Sequence, residues 1–449
     1  MPLPAVTGPR RAALAFIFVT VLIDILSFGL IIPVLPHLIE NFLHGDISAA
    51  ARWYTGFASV YMAMQFLFTP VQGTLSDRYG RRPVILLSNL GLGLDFAMMA
   101  LVESLPLLFI GRVISGITSA SFSTANAYLA DVTPPEKRAQ AFGMVGMAFG
   151  LGFIVAPFVG GHLGAIDVRL PFWAAVAMSL TNFAYGFFVL PESLPPEKRT
   201  TRFEWRHANP VGSLLLLRSY PHVLGLAGVM FLMAFAHMVY PTTFVLYADY
   251  RFGWGPDMAG NTLALVGLLA AIVQGLLVKR IVGRLGERRA LLFGLACGTL
   301  GFALYALAPT GWWFWAMMPI ASLWGVSTPA AQAMLTHTVD PREQGRLQGA
   351  IASLSSVAGI LGALAFPTVL SAVAASSRHG AVAGATFWLA ALVLGASALI
   401  AWRASARLPV VSTAPAPVAT IEPEVMPPAD DLRLHPAPRD DGRPARSGG

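Results

Sequence analysis

Long apolar runs recur along this chain of 449 residues and set the first limit on its fold. Each run has about 18 or more residues, enough for one helix to cross the roughly 30 Å hydrocarbon core of a bilayer. Charged residues make up 12% of the chain, against about 25% in a soluble globular protein. These features predict an all-α membrane protein with twelve transmembrane helices. The predicted spans are 13–37, 54–76, 83–102, 106–130, 138–163, 171–190, 222–247, 257–280, 289–308, 312–337, 345–372 and 382–404.

A polar, charged stretch divides the predicted spans into two groups of six. We predict an N-terminal six-helix bundle over 1–190 (the first half), a cytoplasmic linker over 191–218 and a C-terminal six-helix bundle over 219–405 (the second half). Residues 406–449 are rich in Pro, Ala, Asp and Arg, which predicts a disordered cytoplasmic tail. When Arg112 and the four arginines after Arg407 are left out, the loops on one side, with both termini and the linker, hold 21 of the remaining 25 Lys and Arg residues. Positive charge marks the cytoplasmic side, so we expect both termini there.

An internal repeat supports this division. The segment RYGRRPVILL from Arg78 resembles RLGERRALLF from Arg284, an offset of 206 residues, and the same offset relates Gly143 to Gly349. Duplicated six-helix halves in parallel arrangement are typical of transporters that rock around a site near the middle of the membrane. The repeat therefore predicts two bundles related by pseudo-twofold symmetry, with alternating access to a cavity between them.

Other classes of function find no support in the sequence. A single cysteine, Cys297, excludes an internal disulfide and a multi-cysteine metal site, and we expect no metal centre. The net charge of +7 is dispersed over short loops, which fits membrane topology better than nucleic-acid binding. The chain contains no GxxxxGK[ST], HExxH or GxSxG motif, so neither an ATP-driven pump nor a hydrolase is indicated. We expect no enzyme activity and no cofactor, with a proton gradient as the energy source.

The stretch GTLSDRYGRR concentrates charge between two predicted spans. Its two glycines permit a tight turn or a close approach of backbones. Arg81 can pair with Asp77, and Asp131 at the cytoplasmic end of the fourth span is a further candidate partner. One interpretation is a gate that closes the cytoplasmic side and opens when the halves rock; the other is an ordinary positively charged loop. The candidate gate residues are Gly73, Asp77, Gly80, Arg81, Arg82 and Asp131.

Three ionisable residues lie inside predicted spans, where charge is costly and usually functional. They are Asp24, Asp95 and Arg112, and a rise of about 1.5 Å per residue places them within about one helical turn of the same depth. Burial favours the protonated form of a carboxylate, whereas a nearby cation favours its charged form. We predict one cluster in which one carboxylate pairs with Arg112 and the other takes up and releases a proton. The alternative is that both carboxylates brace helices through hydrogen bonds.

The fifth predicted span is rich in glycine, a residue that lets a neighbouring helix approach closely. Its proline should bend the helix, and simple helix packing is sufficient to explain the pattern. The residues concerned are Gly146, Gly150, Gly152, Pro157, Gly160 and Gly161.

Polar residues at mid-depth are candidates for the lining of a substrate cavity. Each is equally explained as a hydrogen-bonding residue between helices, whereas aromatic and Met-rich walls suit bulky amphiphilic ligands. The candidates are Gln65, Asn126, Asn182, His237, Asn261, Gln274 and Gln332.

The motif G-x-L-x-D-R-x-G-R-R at residues 73–82 resembles the signature of the major facilitator superfamily. Over about residues 12–405 the chain is similar to the drug/proton antiporters of that superfamily, and most similar to the tetracycline/proton antiporter group. The matching segments are LIDILSFGLIIPVLP from Leu22, MQFLFTPVQGTLSDRYGRRPVILL from Met64, FIGRVISGITSASFSTANAYLAD from Phe109, LPES from Leu190, RFGW from Arg251, LGERRALL from Leu285 and PAAQAMLTHTVDPREQGRLQG from Pro329.

This resemblance implies the major facilitator fold, a cytoplasmic gate and proton coupling in the first half. It also likens the fifth span to the antiporter motif that marks exporters. The positions that match the gate are Asp77, Arg81 and Asp131, and those that match the coupling residues are Asp24, Asp95 and Arg112.

Three positions depart from the family's pattern. Ala156 stands where the antiporter motif has glycine, and Ala270 and Gly298 stand where the tetracycline group has a histidine and an acidic residue. Proton coupling would then rest on the first half alone. The resemblance therefore implies the transport class without fixing the drug.

We expect a proton-coupled antiporter that exports small amphiphilic compounds, tetracycline-like or multidrug, by alternating access. The alternatives are a proton-coupled importer or solute facilitator of the same superfamily, and a non-transporting receptor on the same fold. The expected partners are an amphiphilic small molecule, protons and the lipid bilayer, without nucleic acid. We expect a monomer that crosses the inner membrane many times.

Overall fold

The computed structural model describes residues 9–119, 121–134, 137–200, 221–338, 344–375 and 381–405. Most of these residues are helical, as the apolar runs predict. The predicted tail and residues 201–218 of the predicted linker lie outside the described ranges. The helices are α1 (Pro9–Ile31), α2 (Leu35–Phe42), α3 (Ile47–Tyr79), α4 (Arg81–Leu101), α5 (Leu105–Thr118), α6 (Ser121–Val132), α7 (Arg138–Ile166), α8 (Leu170–Val189), α9 (Pro221–His237), α10 (Val239–Phe252), α11 (Pro256–Ile272), α12 (Val278–Leu307), α13 (Gly311–Ser322), α14 (Ser327–Thr338), α15 (Gln344–Ala374) and α16 (Ala385–Ser405).

Within the described ranges, nine helical segments are long and apolar enough to cross a bilayer, which makes this a multi-pass membrane protein. The longest segment covers the predicted spans 257–280 and 289–308. Between these spans the backbone leaves the helical conformation at Gly286 (φ 75°), which lies inside α12. Helices also occupy the predicted spans 54–76 and 312–337, and the count of twelve stays a prediction. The nine segments are Phe16–Phe42, Arg81–Leu101, Leu105–Val132, Ala141–Ile166, Leu170–Val189, Leu224–Phe252, Pro256–Leu307, Leu347–Ala374 and Val382–Ser405.

Several predicted spans are interrupted. The predicted span 13–37 overlaps the single membrane-crossing segment Phe16–Phe42, but the helix is broken within it, since α1 ends at Ile31 and α2 begins at Leu35. Pro33 lies in this break and has no backbone N–H to continue the helical hydrogen bonds. A π-helix at Val273–Leu277 likewise separates α11 from α12. The break at Pro33 arises from a single residue inside an apolar run, which stays apolar overall.

Two long contacts join the halves: α7 packs on α11, and α3 packs on α15. In the first of these, a Cβ added to Gly161 would lie 2.4 Å from the carbonyl oxygen of Pro256. A Cβ added to Gly260 would lie equally close, 2.4 Å, to the carbonyl oxygen of Pro157. The backbones therefore touch directly, and only glycine fits on either side.

The glycines of the fifth span do not all make such contacts. Gly152 and Gly160 face α1, where an added Cβ would lie 2.3 Å from Ile25 and 2.0 Å from the Leu30 carbonyl oxygen. The expected close approach is wrong for Gly146 and Gly150, since an added Cβ there would meet no described atom within 4 Å. Glycines occur on several faces of this helix. Their spacing in the sequence therefore does not show which of them contact a neighbouring helix.

Polar contacts between the halves cluster at the end predicted to face outward. Ser48 Oγ donates to the carbonyl oxygen of Ser371 at 2.9 Å, and Arg52 Nη1 lies 3.4 Å from the Ser371 hydroxyl. The Tyr54 hydroxyl donates to the carbonyl oxygen of Pro241 at 2.9 Å. These bonds tie α3 to α10 and α15, so the end predicted to face outward is closed in this conformation.

Candidate functional site

A cavity of about 620 Å³ lies between the halves. Its wall is mostly aromatic and aliphatic, with a small number of polar groups. Such a surface suits an amphiphilic ligand that is oriented by a few hydrogen bonds. The aromatic and Met residues of the wall are Phe28, Tyr54, Phe57, Tyr61, Met62, Phe149, Phe153, Met238, Tyr240 and Trp324.

Three of the predicted cavity residues, Gln65, His237 and Gln274, lie in this wall together with Arg112. The ring of His237 lies 6.0 Å from that of Trp324, centroid to centroid. The amide nitrogen of Gln274 donates to the carbonyl oxygen of Gly325 at 3.0 Å. These residues place one permanent cation and several hydrogen-bonding groups on an otherwise apolar surface.

The other predicted cavity residues lie elsewhere. Asn182 is fully buried, and Gln332 donates to the side-chain oxygen of Gln348 at 2.7 Å. Asn126 and Asn261 are also absent from the described wall. None of these four residues is in the described wall, and their place in a cavity stays a prediction, because polarity and depth do not reveal which face of a helix points inward.

A buried ion pair joins Asp95 on α4 to Arg112 on α5. Arg112 Nη2 donates to the Asp95 carboxylate, and the two residues are 0% and 6% exposed. The guanidinium also lies over the ring of Tyr61, 5.7 Å from its centroid. Arg112 is thus in contact with a buried carboxylate on one side and with the cavity on the other.

Asp24 lies in a separate polar cluster. Its carboxylate accepts a hydrogen bond from Asn182 Nδ2 at 2.7 Å, and the Asn89 side-chain amide lies 3.2 Å away. Asn89 and Asp95 are six residues apart on α4, which corresponds to about 9 Å along the helix axis. The prediction of one three-residue cluster at a shared depth is therefore wrong. The span boundaries from hydropathy are too coarse to fix depth to one turn.

The predicted gate residues lie together at the junction of α3 and α4. Gly80 ends α3 and begins α4 with φ 105°, a conformation that favours glycine. Arg81 Nη1 lies 2.5 Å from Asp77 Oδ1, and Arg81 Nε lies 3.2 Å from Asp131 Oδ2. Arg82 donates to the carbonyl oxygen of Phe187. The side chain of Arg81 thus connects the ends of α3, α4 and α6.

Gly73 does not share this arrangement. It lies within α3, and an added Cβ there would meet no described atom within 4 Å. The expectation of a turn or a close approach at Gly73 is therefore wrong.

Glu192 also belongs to the gate network, although no motif in the sequence predicted a role for it. Its carboxylate accepts from the backbone N–H of Arg81 at 2.9 Å and of Arg82 at 3.3 Å. These N–H groups are the unpaired donors of the first turn of α4, where an anion is also favoured by the helix dipole. Glu192 thereby anchors the chain after α8 to the start of α4. The signal for this role was only the LPES match, which carries no structural information by itself.

Replacing Arg81 by Ala should lower the turnover of drug transport more than it weakens drug binding, because Arg81 contacts the gate network and not the cavity wall. The measurement is kcat and KM for drug flux into vesicles. Arg78→Ala is the matched control, since Arg78 has the same charge, is exposed and stacks on Tyr79 at 5.2 Å. A raised KM at unchanged kcat would contradict the gating role.

Ala270 and Gly298, the two positions of the second half that depart from the pattern of the tetracycline group, have different surroundings. Ala270 lies in the cavity wall, so the absent histidine would have changed the polarity of the cavity itself. Gly298 faces the ring of Trp324, whose Cγ an added Cβ would meet at 2.9 Å, and Leu394. An acidic side chain at Gly298 would collide with both residues.

A family model described as the Major Facilitator Superfamily matches residues 17–363. The chain therefore belongs to the major facilitator superfamily, as its gate motif and its fold around a central cavity indicate.

Within the superfamily, the similarity to tetracycline resistance proteins is confirmed. The chain is 39% identical over 382 residues to the class C tetracycline resistance protein of Escherichia coli, covering 85% of this chain and 95% of that one. It is 30% identical over 283 residues to multidrug resistance protein 2 of Bacillus subtilis, covering 62% and 69%. The crystal structure of the human organic anion transporter MFSD10 matches with a TM-score of 0.64 at 25% identity, covering 88% of this chain and 100% of that chain.

Proposed function

We propose that this protein is a proton-coupled antiporter that exports small amphiphilic compounds by alternating access. The observation that carries the proposal is the 39% identity to a tetracycline resistance protein over 95% of that protein's length. The buried ion pair beside the cavity supports it, because the pair supplies a titratable group next to the substrate space.

The coupling step resides in the Asp95–Arg112 pair. With Asp95 charged, the pair is neutral overall and Arg112 is held against α4. A proton taken up by Asp95 removes the negative charge, and Arg112 then keeps an uncompensated charge that a buried site disfavours. This charge is relieved when Arg112 turns toward the cavity or when the halves move. Proton binding and the conformational change are linked through one side chain.

Asp24 is the second proposed proton site. Its carboxylate receives amide hydrogen bonds, which favour the charged form, whereas its burial (3% exposed) favours the protonated form. Movement of α8 relative to α1 would change the first of these contributions. The proton gradient is the energy source, without a cofactor.

The closed outer end and the gate network define the two sides of the transport cycle. Tight contacts at Ser48 and Ser371 leave substrate access from the other side, which the positive charges assign to the cytoplasm. Return to an outward-open form requires these contacts to break and the cytoplasmic ends of the two halves to come together. The protein thereby acts in the inner membrane with both termini in the cytoplasm.

Cells that lack other efflux pumps should accumulate less drug when they express this protein, because export lowers the internal concentration. A panel of tetracyclines, cationic dyes and fluoroquinolones, each measured with and without an uncoupler, tests this expectation. The uncoupler should restore accumulation in protein-expressing cells. Increased accumulation that the uncoupler abolishes would instead indicate an importer. Because Ala270 replaces the histidine of the tetracycline group, we do not predict which compound of the panel is transported best.

A further inference from the structure

Three potential metal ligands lie together at the end of the molecule that is predicted to face outward. His37 and Glu40 lie on α2, and Asp249 lies on α10. A ring nitrogen of His37 and a carboxylate oxygen of each acidic residue all lie within 4.8 Å of one another. Because α2 belongs to the first half and α10 to the second, the three ligands bridge the halves.

The helical spacing suits coordination. His37 and Glu40 are three residues apart, so their side chains share a face of α2, and His37 Nδ1 lies 3.5 Å from Glu40 Oε2. A carboxylate and an imidazole at this spacing are used for metal binding in helical bundles. Ligand atoms on one tetrahedral zinc ion are about 3.3 Å apart, given bonds of about 2.0–2.1 Å. Small side-chain rotations would bring the three residues to that distance.

The electrostatics favour a cation at this point. Glu40 lies in the last turn of α2 and Asp249 in the last turn of α10, where each carboxylate adds to the partial negative charge of a helix C-terminus. Arg251, also in the last turn of α10, offsets part of this negative charge, and a bound cation would offset the remainder.

A second observation points to an unfilled role for the histidine. His37 is only 8% exposed, and its Nε2 atom has no hydrogen-bond partner among the described residues. A buried polar atom without a partner is costly and calls for an explanation. Coordination of a metal through Nε2 would give that atom a partner, while Nδ1 lies 3.5 Å from Glu40 Oε2.

We propose that His37, Glu40 and Asp249 form a site for a divalent transition-metal ion, such as zinc, that bridges the halves and holds the outer end closed. One imidazole and two carboxylates are a ligand set that zinc accepts. Since transport requires the outer end to open, an ion at this site inhibits turnover. The inhibition rests on the proposed transport function, whereas the metal site itself does not.

Zinc binding to the purified full-length protein tests the site without a transport assay. Titration with zinc chloride, followed by calorimetry and thermal unfolding, should show a chelator-reversible rise in the unfolding temperature. His37→Asn, Glu40→Gln and Asp249→Asn should each weaken binding by at least about tenfold, since even residues that only orient ligands contribute 10–100-fold. His44→Asn is the matched control, because His44 is exposed nearby and its φ of 54° is tolerated by Asn.

The outcomes separate the two parts of the proposal. The site is overturned if the wild-type protein binds no zinc, a result that does not depend on any variant folding. It is also overturned if only His44→Asn lowers the affinity for zinc. In proteoliposomes, zinc should inhibit wild-type drug flux and leave His37→Asn uninhibited. Zinc binding without inhibition of an active transporter overturns the closure role. If no drug flux is found at all, the proposed function fails while the binding result still decides the site.

Discussion

Replacing Asp95 by Asn should reduce drug flux driven by a pH gradient to the level of empty liposomes. The substituted amide would keep the size of the side chain but could not exchange a proton, so the pair with Arg112 would lose its titratable member. Drug exchange at equal pH, which needs no net proton transfer, should persist. The measurement is flux of the same reconstituted protein with and without an imposed pH gradient.

The stability of the variant supplies an internal control. Removal of one partner of a buried ion pair costs about 3–5 kcal/mol, so Asp95→Asn should also lower the unfolding temperature. The double variant Asp95→Asn with Arg112→Gln should recover stability, because no charge is left buried, yet should not recover gradient-driven flux. Recovery of both properties together would show that the pair has only a structural role.

Replacing Gly161 by Ala should strongly impair transport and stability. The added methyl group would lie 2.4 Å from the Pro256 carbonyl oxygen, so α7 and α11 would have to separate. Overpacking of this kind costs about 1–3 kcal/mol, and here it acts on a contact between the halves. The measurements are gradient-driven flux and the unfolding temperature in detergent.

Gly150→Ala is the matched control on the same helix. An added Cβ at Gly150 meets no described atom within 4 Å, and Ala is a better helix former than Gly by about 1 kcal/mol. This variant should be at least as stable as the wild type and fully active. Equal loss of transport in both variants would contradict the packing explanation and would favour a role of the whole glycine motif.

The positions of the helices could be predicted from the sequence because the bilayer requires long apolar runs. The breaks could not, since Pro33 and Gly286 change the backbone locally without altering the hydropathy of the segment. Span boundaries taken from hydropathy are uncertain by about two to four residues, which is too coarse to place Asp24 and Asp95 at their separate depths. The helical membrane fold could therefore be predicted from the sequence, whereas a cluster of Asp24, Asp95 and Arg112 could not.

The residues of the candidate site that could be predicted from the sequence were the charged ones inside predicted spans. A charge inside a span has few uses, so Asp95 and Arg112 could be identified before their contact was known. Neutral polar residues carry no such signal, and Asn182 binds Asp24 instead of facing the cavity. Glu192 was missed because its role depends on the chain after α8 returning to the start of α4, which no local pattern encodes.

The direction of proton movement during drug transport tests the central claim most directly. The protein is reconstituted in liposomes with a trapped pH-sensitive dye, the lumen is made acidic, and drug is added outside. We predict that drug enters the acidic lumen while protons leave, so that the lumen becomes more alkaline only when protein and drug are both present. Movement of drug and protons in the same direction, or drug flux that is indifferent to the gradient, would contradict proton-coupled export.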